Sequence, residues 1–291
     1  MAATVRPRRS VLYMPGSNAR AMEKGRTLPA DGLILDLEDA VSPDAKRESR
    51  QEIVKALEER DTYRWRELIV RVNGLDTPWG ADDLQAAAQA GAQAVLLPKV
   101  ESAAMVAEAE QRLRRAGAPE SLAIWCMMET PLGILNAREI AGASRRLACL
   151  VMGTSDLVKD LRASHTALRL PVLTSLSLCV LAARAYGLAA LDGVHLDLAD
   201  DEGFRAVCVQ GRELGFDGKT LIHPKTVAVA NEIFAPSESE VAQARKIIAA
   251  HAEAAAAGKG VVLLDGKLIE NLHVEMAKRT MTLAEAVAVR G

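Results

Sequence analysis

The sequence predicts an α/β chain, a (β/α)8 TIM barrel with a C-terminal helical and hairpin extension. Eight short apolar runs alternate with longer amphipathic stretches, as strands do when each is followed by a helix. The chief rival, a doubly wound sheet, lacks its usual mark, because no Gly-x-Gly-x-x-Gly follows the first run. The length of 291 residues suits one barrel of about 250 residues plus an addition.

The runs are residues 11–14, 32–37, 67–72, 94–97, 122–128, 147–152, 191–196 and 219–222. Helix signals fill the intervals: Ser102 is placed to cap a helix that Gly117 ends, and Thr130 precedes Pro131, a residue preorganised for a first helical turn. Asp39 or Ser42 can cap a helix beginning at Pro43. Beyond the eighth run, Ser237-Glu238-Ser239-Glu240 is a capping-box pattern that opens an Ala-rich helix expected to stop at Gly258. A hairpin-like stretch over residues 261–267 follows, and then a helix from about Asn271. The expected division is a catalytic barrel over residues 1–234 and an extension over 235–291. The extension is surplus to the barrel and is expected to cover an active-site mouth, its own or a neighbouring subunit's.

Composition narrows the class of function. Hydrophobic residues make up 49% and charged residues 25% of the chain, and the formal net charge is −2, which offers no electrostatic reason to expect nucleic acid. The most apolar stretch, residues 170–183, contains Pro171, Thr174, Ser175 and Ser177 and is too short and too polar to span a bilayer. No nucleic-acid or membrane partner is expected; the partner is a small molecule. Arg6, Arg8 and Arg9 make the N-terminus basic, yet no apolar segment of signal-peptide length follows before Pro15-Gly16. Cys126, Cys149, Cys179 and Cys208 lie far apart with no Cys-x-x-Cys pair. They read as buried thiols in a reducing, cytoplasmic setting.

The chemistry gathers at the ends of the runs. Residues 123–128 end in Glu129, and the sixth run leads through Gly153-Thr154-Ser155 to Asp156. Strand ends of a barrel share one mouth, and two carboxylates with room for waters and substrate are what Mg²⁺ usually requires. Each acid alone is equally a helix cap or a partner of a helix dipole. In the second run Ile34, Asp36 and Glu38 share one face, with Asp39 opening the loop. In the third, Arg71 and Asn73 share a face. An arginine among β-branched residues needs an acid or an anionic ligand to offset its desolvation: Asp36 or Glu38 as a structural partner, or a substrate. Lys99 leaves open a Schiff-base aldolase, although no neighbour obviously lowers its pKa. His223 either stabilises a loop or touches substrate.

Seven segments in order then resemble a known family: residues 9–16 (Arg-Ser-Val-Leu-Tyr-Met-Pro-Gly), 36–41 (Asp-Leu-Glu-Asp-Ala-Val), Arg71-Val72-Asn73, Leu97-Pro98-Lys99, Glu129-Thr130, Gly153-Thr154-Ser155-Asp156-Leu157, and 218–224 (Gly-Lys-Thr-Leu-Ile-His-Pro). Together they are similar to the citrate lyase β-subunit-like (CitE-like) acyl-CoA lyases of the HpcH/HpaI aldolase group. The resemblance implies a barrel in trimers or hexamers that binds Mg²⁺, with Mn²⁺ able to substitute, and cleaves a 3-hydroxyacyl-CoA thioester to acetyl-CoA and a 2-oxo acid. By position, Glu129 and Asp156 would be metal ligands, and Arg71 would bind the reacting carbonyl. Arg9 would suit the anionic end of the substrate or coenzyme A, while Asp36, Glu38 and Asp39 would order metal-bound waters and Arg71. Many relatives carry an aspartate after Gly-x-Met-Val/Ile, proposed as the acid or base at the acyl methyl; here Gly266-Lys267-Leu268-Ile269 leads to Glu270. That departure leaves open a lyase, a (3S)-malyl-CoA thioesterase or a changed substrate range, with Glu270 otherwise a helix-start carboxylate. The β subunit of a citrate lyase acting on an acyl-carrier-protein thioester, and a barrel that has lost turnover, are the remaining readings.

Overall fold

Strands that pack on both faces must be apolar at successive positions, and the eight runs become such strands in the computed structural model, which describes residues 6–258 and 260–290. They are β1 (Ser10–Pro15), β2 (Gly32–Asp36), β3 (Glu67–Arg71), β4 (Ala94–Leu97), β5 (Ala123–Met128), β6 (Leu147–Met152), β7 (Ala189–Asp192) and β8 (Gly218–Leu221). All pair in parallel with their neighbours in sequence, and β8 returns to β1 to close the barrel. Alternation sends Val11, Ile34, Ile69, Leu96, Trp125, Met127, Val151 and Leu191 into the interior, where they form a packed core.

Helices occupy the intervals as the caps indicate: α1 (Ala19–Gly25), α2 (Lys46–Glu58), α3 (Gly80–Ala90), α4 (Ala103–Arg115), α5 (Pro131–Leu135), α6 (Ala137–Ala141), α7 (Thr154–Asp160), α8 (Leu173–Ala185), α9 (Asp201–Leu214) and α10 (Val227–Phe234). The Ser102 hydroxyl accepts from Met105 N–H at the start of α4, and Thr130 does the same for Gly133 at the start of α5. Ser42 behaves differently from its expected role. It precedes a single 3₁₀ turn, Pro43–Ala45, and its side chain makes no capping bond. The preorganised φ of Pro43 starts the helix without it.

The seventh run also differs. Its strand ends at Asp192, four residues before the apolar pattern does. Gly193 is the cause: a Cβ there would lie 2.7 Å from Thr154 Oγ1 and 2.9 Å from the Met152 carbonyl oxygen. The chain turns at this contact, and Val194 and Leu196 are apolar because they line the mouth.

At the opposite, N-terminal end of the barrel, Arg8 forms a bidentate pair with Glu67 at 2.7 and 2.9 Å and stacks over Trp125 at 4.9 Å. That ion pair closes the base of the barrel.

The described residues divide into two compact units, one of Arg8–Asn231 and the other of residues 6–7 with 232–290. The second holds α11 (Glu238–Ala256), an antiparallel pair β9 (Val262–Leu264) and β10 (Lys267–Ile269), and α12 (Asn271–Ala288). Ser237 and Glu240 form the capping box of α11, and Gly258 follows the helix with φ +71°. Asp265 and Gly266, both at positive φ, make the two-residue turn. Among the described residues no helix is long and apolar enough to cross a membrane.

Candidate active site at the barrel mouth

Asp36, Glu38, Asp39, Arg71, Glu129 and Asp156 converge at the C-terminal ends of the strands. Asp36 ends β2 and Arg71 ends β3, opposite one another in the parallel register. The guanidinium donates to both oxygens of Asp36, Nε to Oδ1 and Nη2 to Oδ2, each at 2.7 Å. Its remaining nitrogen, Nη1, lies 2.8 Å from Glu38 Oε2 and 3.6 Å from Asp39 Oδ2. Burial opposes the charge of Arg71, but Asp36 and the surrounding acids outweigh it and hold the pKa well above its usual value. The arginine is therefore a fixed, permanent cation, with its fork oriented by Asp36.

A second layer of bonds sets the acids. Glu38 Oε1 accepts from Lys99 Nζ at 2.8 Å. Lys46, buried beside the loop, donates to the carbonyls of Leu37 and Glu38, each at 2.7 Å. Burial raises the pKa of Glu38, with Arg71 and Lys99 pulling against it.

Glu129 follows β5 and is buried. Lys99 takes a left-handed backbone conformation (φ +48°), and its N–H donates to Glu129 Oε1 at 2.7 Å. Even so, burial pushes the Glu129 carboxyl up to about 7, against that bond and with Glu38 and Asp156 adding to the rise. Gly153, between β6 and α7, makes room for it: a Cβ there would stand 2.3 Å from Glu129 Oε2. Asp156 sits in the first turn of α7 and pairs with Lys159 at 2.9 Å.

These side chains face a cavity of ≈ 450 Å³ lined by Asp36, Asp39, Arg71, Glu129 and Asp156 on the charged side. Tyr13, Met127, Met152, Val194, Leu196 and Ile222 supply much of the rest. Among the described residues no group of three or more His, Cys, Asp and Glu is arranged to hold a metal by itself. Two carboxylates remain, one of them buried and short of compensating charge. This donor set fits Mg²⁺, which binds through one or two carboxylates and keeps waters and substrate oxygens as its other ligands.

Arg9 lies elsewhere. It precedes β1 at the N-terminal end of the barrel, and its guanidinium and backbone N–H bond Asp31 at 2.8 to 2.9 Å. A residue before a strand opens on the base of the barrel, and Arg9 is not among the residues that line the cavity. Glu270 belongs to the C-terminal unit and occupies the N-cap of α12, where its N–H donates to His273 Nδ1 at 3.1 Å. His223 Nδ1 accepts from Lys225 N–H and so serves its loop. Lys99 is held in its ion pair: burial opposes its charge, but Glu38 outweighs this and brings the pKa to about 12. That is the reverse of what a Schiff-base lysine needs. The sequence assigns no role to Lys46, Tyr13 or Gly153, although Tyr13 and Gly153 stand within segments that carry the family resemblance and Tyr13 shares its inward parity with Val11.

The profile of the HpcH/HpaI aldolase/citrate lyase family matches residues 9–224 of the chain. The chain belongs to this family. It is 49% identical over 291 residues to a (3S)-malyl-CoA thioesterase of Cereibacter sphaeroides, covering 100% of this chain and 99% of the relative. It is 37% identical to the citrate lyase subunit beta of Escherichia coli strain K12, over 98% of this chain and 96% of that one. Among solved structures, CitE from Mycobacterium tuberculosis in complex with magnesium, acetoacetate and coenzyme A superposes with a TM-score of 0.76 at 30% identity, covering 96% of this chain and 98% of that one. The expected barrel and the expected family both hold.

Proposed function

We propose that the protein is a Mg²⁺-dependent carbon–carbon lyase that cleaves a 3-hydroxyacyl-CoA thioester, malyl-CoA, citramalyl-CoA or a similar ester, to acetyl-CoA and a 2-oxo acid. The observation that carries this is the convergence of a clamped Arg71 and the Glu129/Asp156 pair on one cavity. A relative bound to magnesium, acetoacetate and coenzyme A supports it. Glu129 and Asp156 would hold Mg²⁺, with Mn²⁺ able to substitute. Bound there, the ion supplies Lewis acidity toward the hydroxyl and carboxylate oxygens of the substrate.

Arg71 faces the oxygens that carry or gain negative charge, on the oxo-acid half and on the thioester, as the bond between the hydroxyl-bearing carbon and the acyl methylene breaks. Asp36 and Glu38 keep its fork aimed, and Asp39, exposed at the rim, orders water against it. Glu270 is assigned the proton transfer at the acyl methyl carbon. The C-terminal segment 235–291 would then close over a mouth, its own or a neighbour's, in a homotrimer or hexamer. The four cysteines, all buried and unpaired, agree with a reducing, cytoplasmic location.

One observation favours a second reaction in the same site. The identity of 49% across the whole chain is to a malyl-CoA thioesterase, and the same Arg71 would serve the oxyanion formed when water attacks the thioester carbonyl. An assay over malyl-, methylmalyl-, citramalyl- and citryl-CoA that scores carbon–carbon cleavage and free coenzyme A separately divides the two. The Glu129→Ala protein is expected to be nearly inactive in both, by roughly a hundredfold or more, and substantial turnover in EDTA would refute the assignment.

A further inference from the structure

Tyr13 lines the cavity and has no task in the reaction described above. It points inward from β1, and the Arg71 guanidinium lies over its ring at 4.8 Å from the centroid. Its hydroxyl meets Met127 Sδ at 3.4 Å, and a thioether is a weak acceptor. Among the described residues this sulfur is the one hydrogen-bond partner the hydroxyl has. A phenylalanine would stack on Arg71 equally well and would leave no polar atom short of a bond in the wall. The hydroxyl therefore presents to the cavity a donor that the surrounding protein engages only weakly.

We infer that the Tyr13 hydroxyl is a further catalytic group, donating a hydrogen bond to an oxygen of the oxo-acid half of the substrate beside Arg71. The inference rests on the function proposed above. A donor next to a guanidinium selects an oxygen that carries or gains negative charge, and two donors converging from β1 and β3 would orient that oxygen as well as stabilise it. Burial, only partly offset by Arg71, raises the phenol's pKa well above its ordinary value. The group thus donates a hydrogen bond while keeping its proton.

The Tyr13→Phe protein separates this role from stacking and from structure. With Mg²⁺ present, its affinity for pyruvate, read by calorimetry, is expected to fall roughly tenfold. On malyl-CoA its kcat is expected to fall roughly ten- to hundredfold with a smaller change in KM. Its unfolding temperature should equal or exceed that of the wild type, because no strong internal hydrogen bond is lost. Pyruvate affinity and kcat both within twofold of wild type would overturn the inference, as would Tyr13→Leu losing activity that Tyr13→Phe retains, since stacking alone would then account for the residue. If the wild-type protein binds none of pyruvate, glyoxylate or oxaloacetate with Mg²⁺, the proposed function falls and the inference falls with it. Wild-type binding with an unaffected Tyr13→Phe protein defeats the inference alone.

Discussion

Arg71 meets a structural requirement and, in the proposed reaction, a chemical one with the same five donors. Two of its nitrogens are spent on Asp36 at 2.7 Å, and Nη1 is shared with Glu38, so the fork is rigid before substrate arrives. An ammonium cannot reproduce that geometry. The Arg71→Lys protein keeps a charge against Asp36 and should fold, but kcat is expected to fall at least about a hundredfold. Steady-state kinetics on malyl-CoA alongside a thermal melt would check this, and near-wild-type turnover would remove Arg71 from the reaction.

At the scale of the element, the site depends on where backbone comes close to side chain. The link from β6 to α7 passes Glu129 so tightly that residue 153 has no room for a Cβ. Lys99 turns left-handed to direct its N–H at the same carboxylate. Gly153→Ala is therefore expected to displace Glu129, cost about 1–3 kcal/mol of stability by denaturant titration, and weaken Mg²⁺ binding. Unchanged Mg²⁺ affinity in that variant would show that Glu129 tolerates the shift. The capping residues of α4, α5 and α11 were legible in the sequence because a cap acts within four residues of its helix. The steric role of Gly153 was not legible, since its constraint comes from Glu129 after β5, a separate strand.

Across the whole molecule the mouth carries more acids than its fixed cations balance, and this ties metal binding to pH. If Glu129 holds Mg²⁺ as proposed, then with its carboxyl pushed up to about 7 the ion must displace a proton below that pH, and its affinity should be roughly tenfold weaker at pH 6 than at pH 8. Without metal the linkage has the opposite sign. The folded carboxyl keeps its proton up to about 7, whereas its unfolded reference value is 4.5, so the stability from this group is complete below the lower value and is lost as pH rises through the higher one. Thermal melts across this range should show added Mg²⁺ stabilising most at high pH, and Glu129→Gln should abolish the difference. Shared sites have a separate test. If Glu270 acts in a neighbouring subunit's mouth, then Glu270→Gln alone should bind Mg²⁺ yet lose most turnover, and mixing it with Arg71→Lys should restore part of the activity. No recovery after subunit exchange would confine each site to one chain.

Much of this protein is determined by short-range patterns that any single stretch of chain displays. Two-residue alternation sets which side chains of each strand face inward, strand-to-helix alternation sets the barrel, and carboxylates at strand ends mark the mouth. These decided that Asp36, Arg71, Glu129 and Asp156 would meet. The tertiary structure alone decided the rest, because it depends on which strand end lies beside which. Asp36 received Arg71 through the β2–β3 register, Glu38 received Lys99 from the end of β4, and Arg9 was drawn to Asp31 at the base. The Glu129 carboxyl stands near 7 because closure of the barrel removes it from water, and desolvation is a property of the assembled fold that no local pattern records.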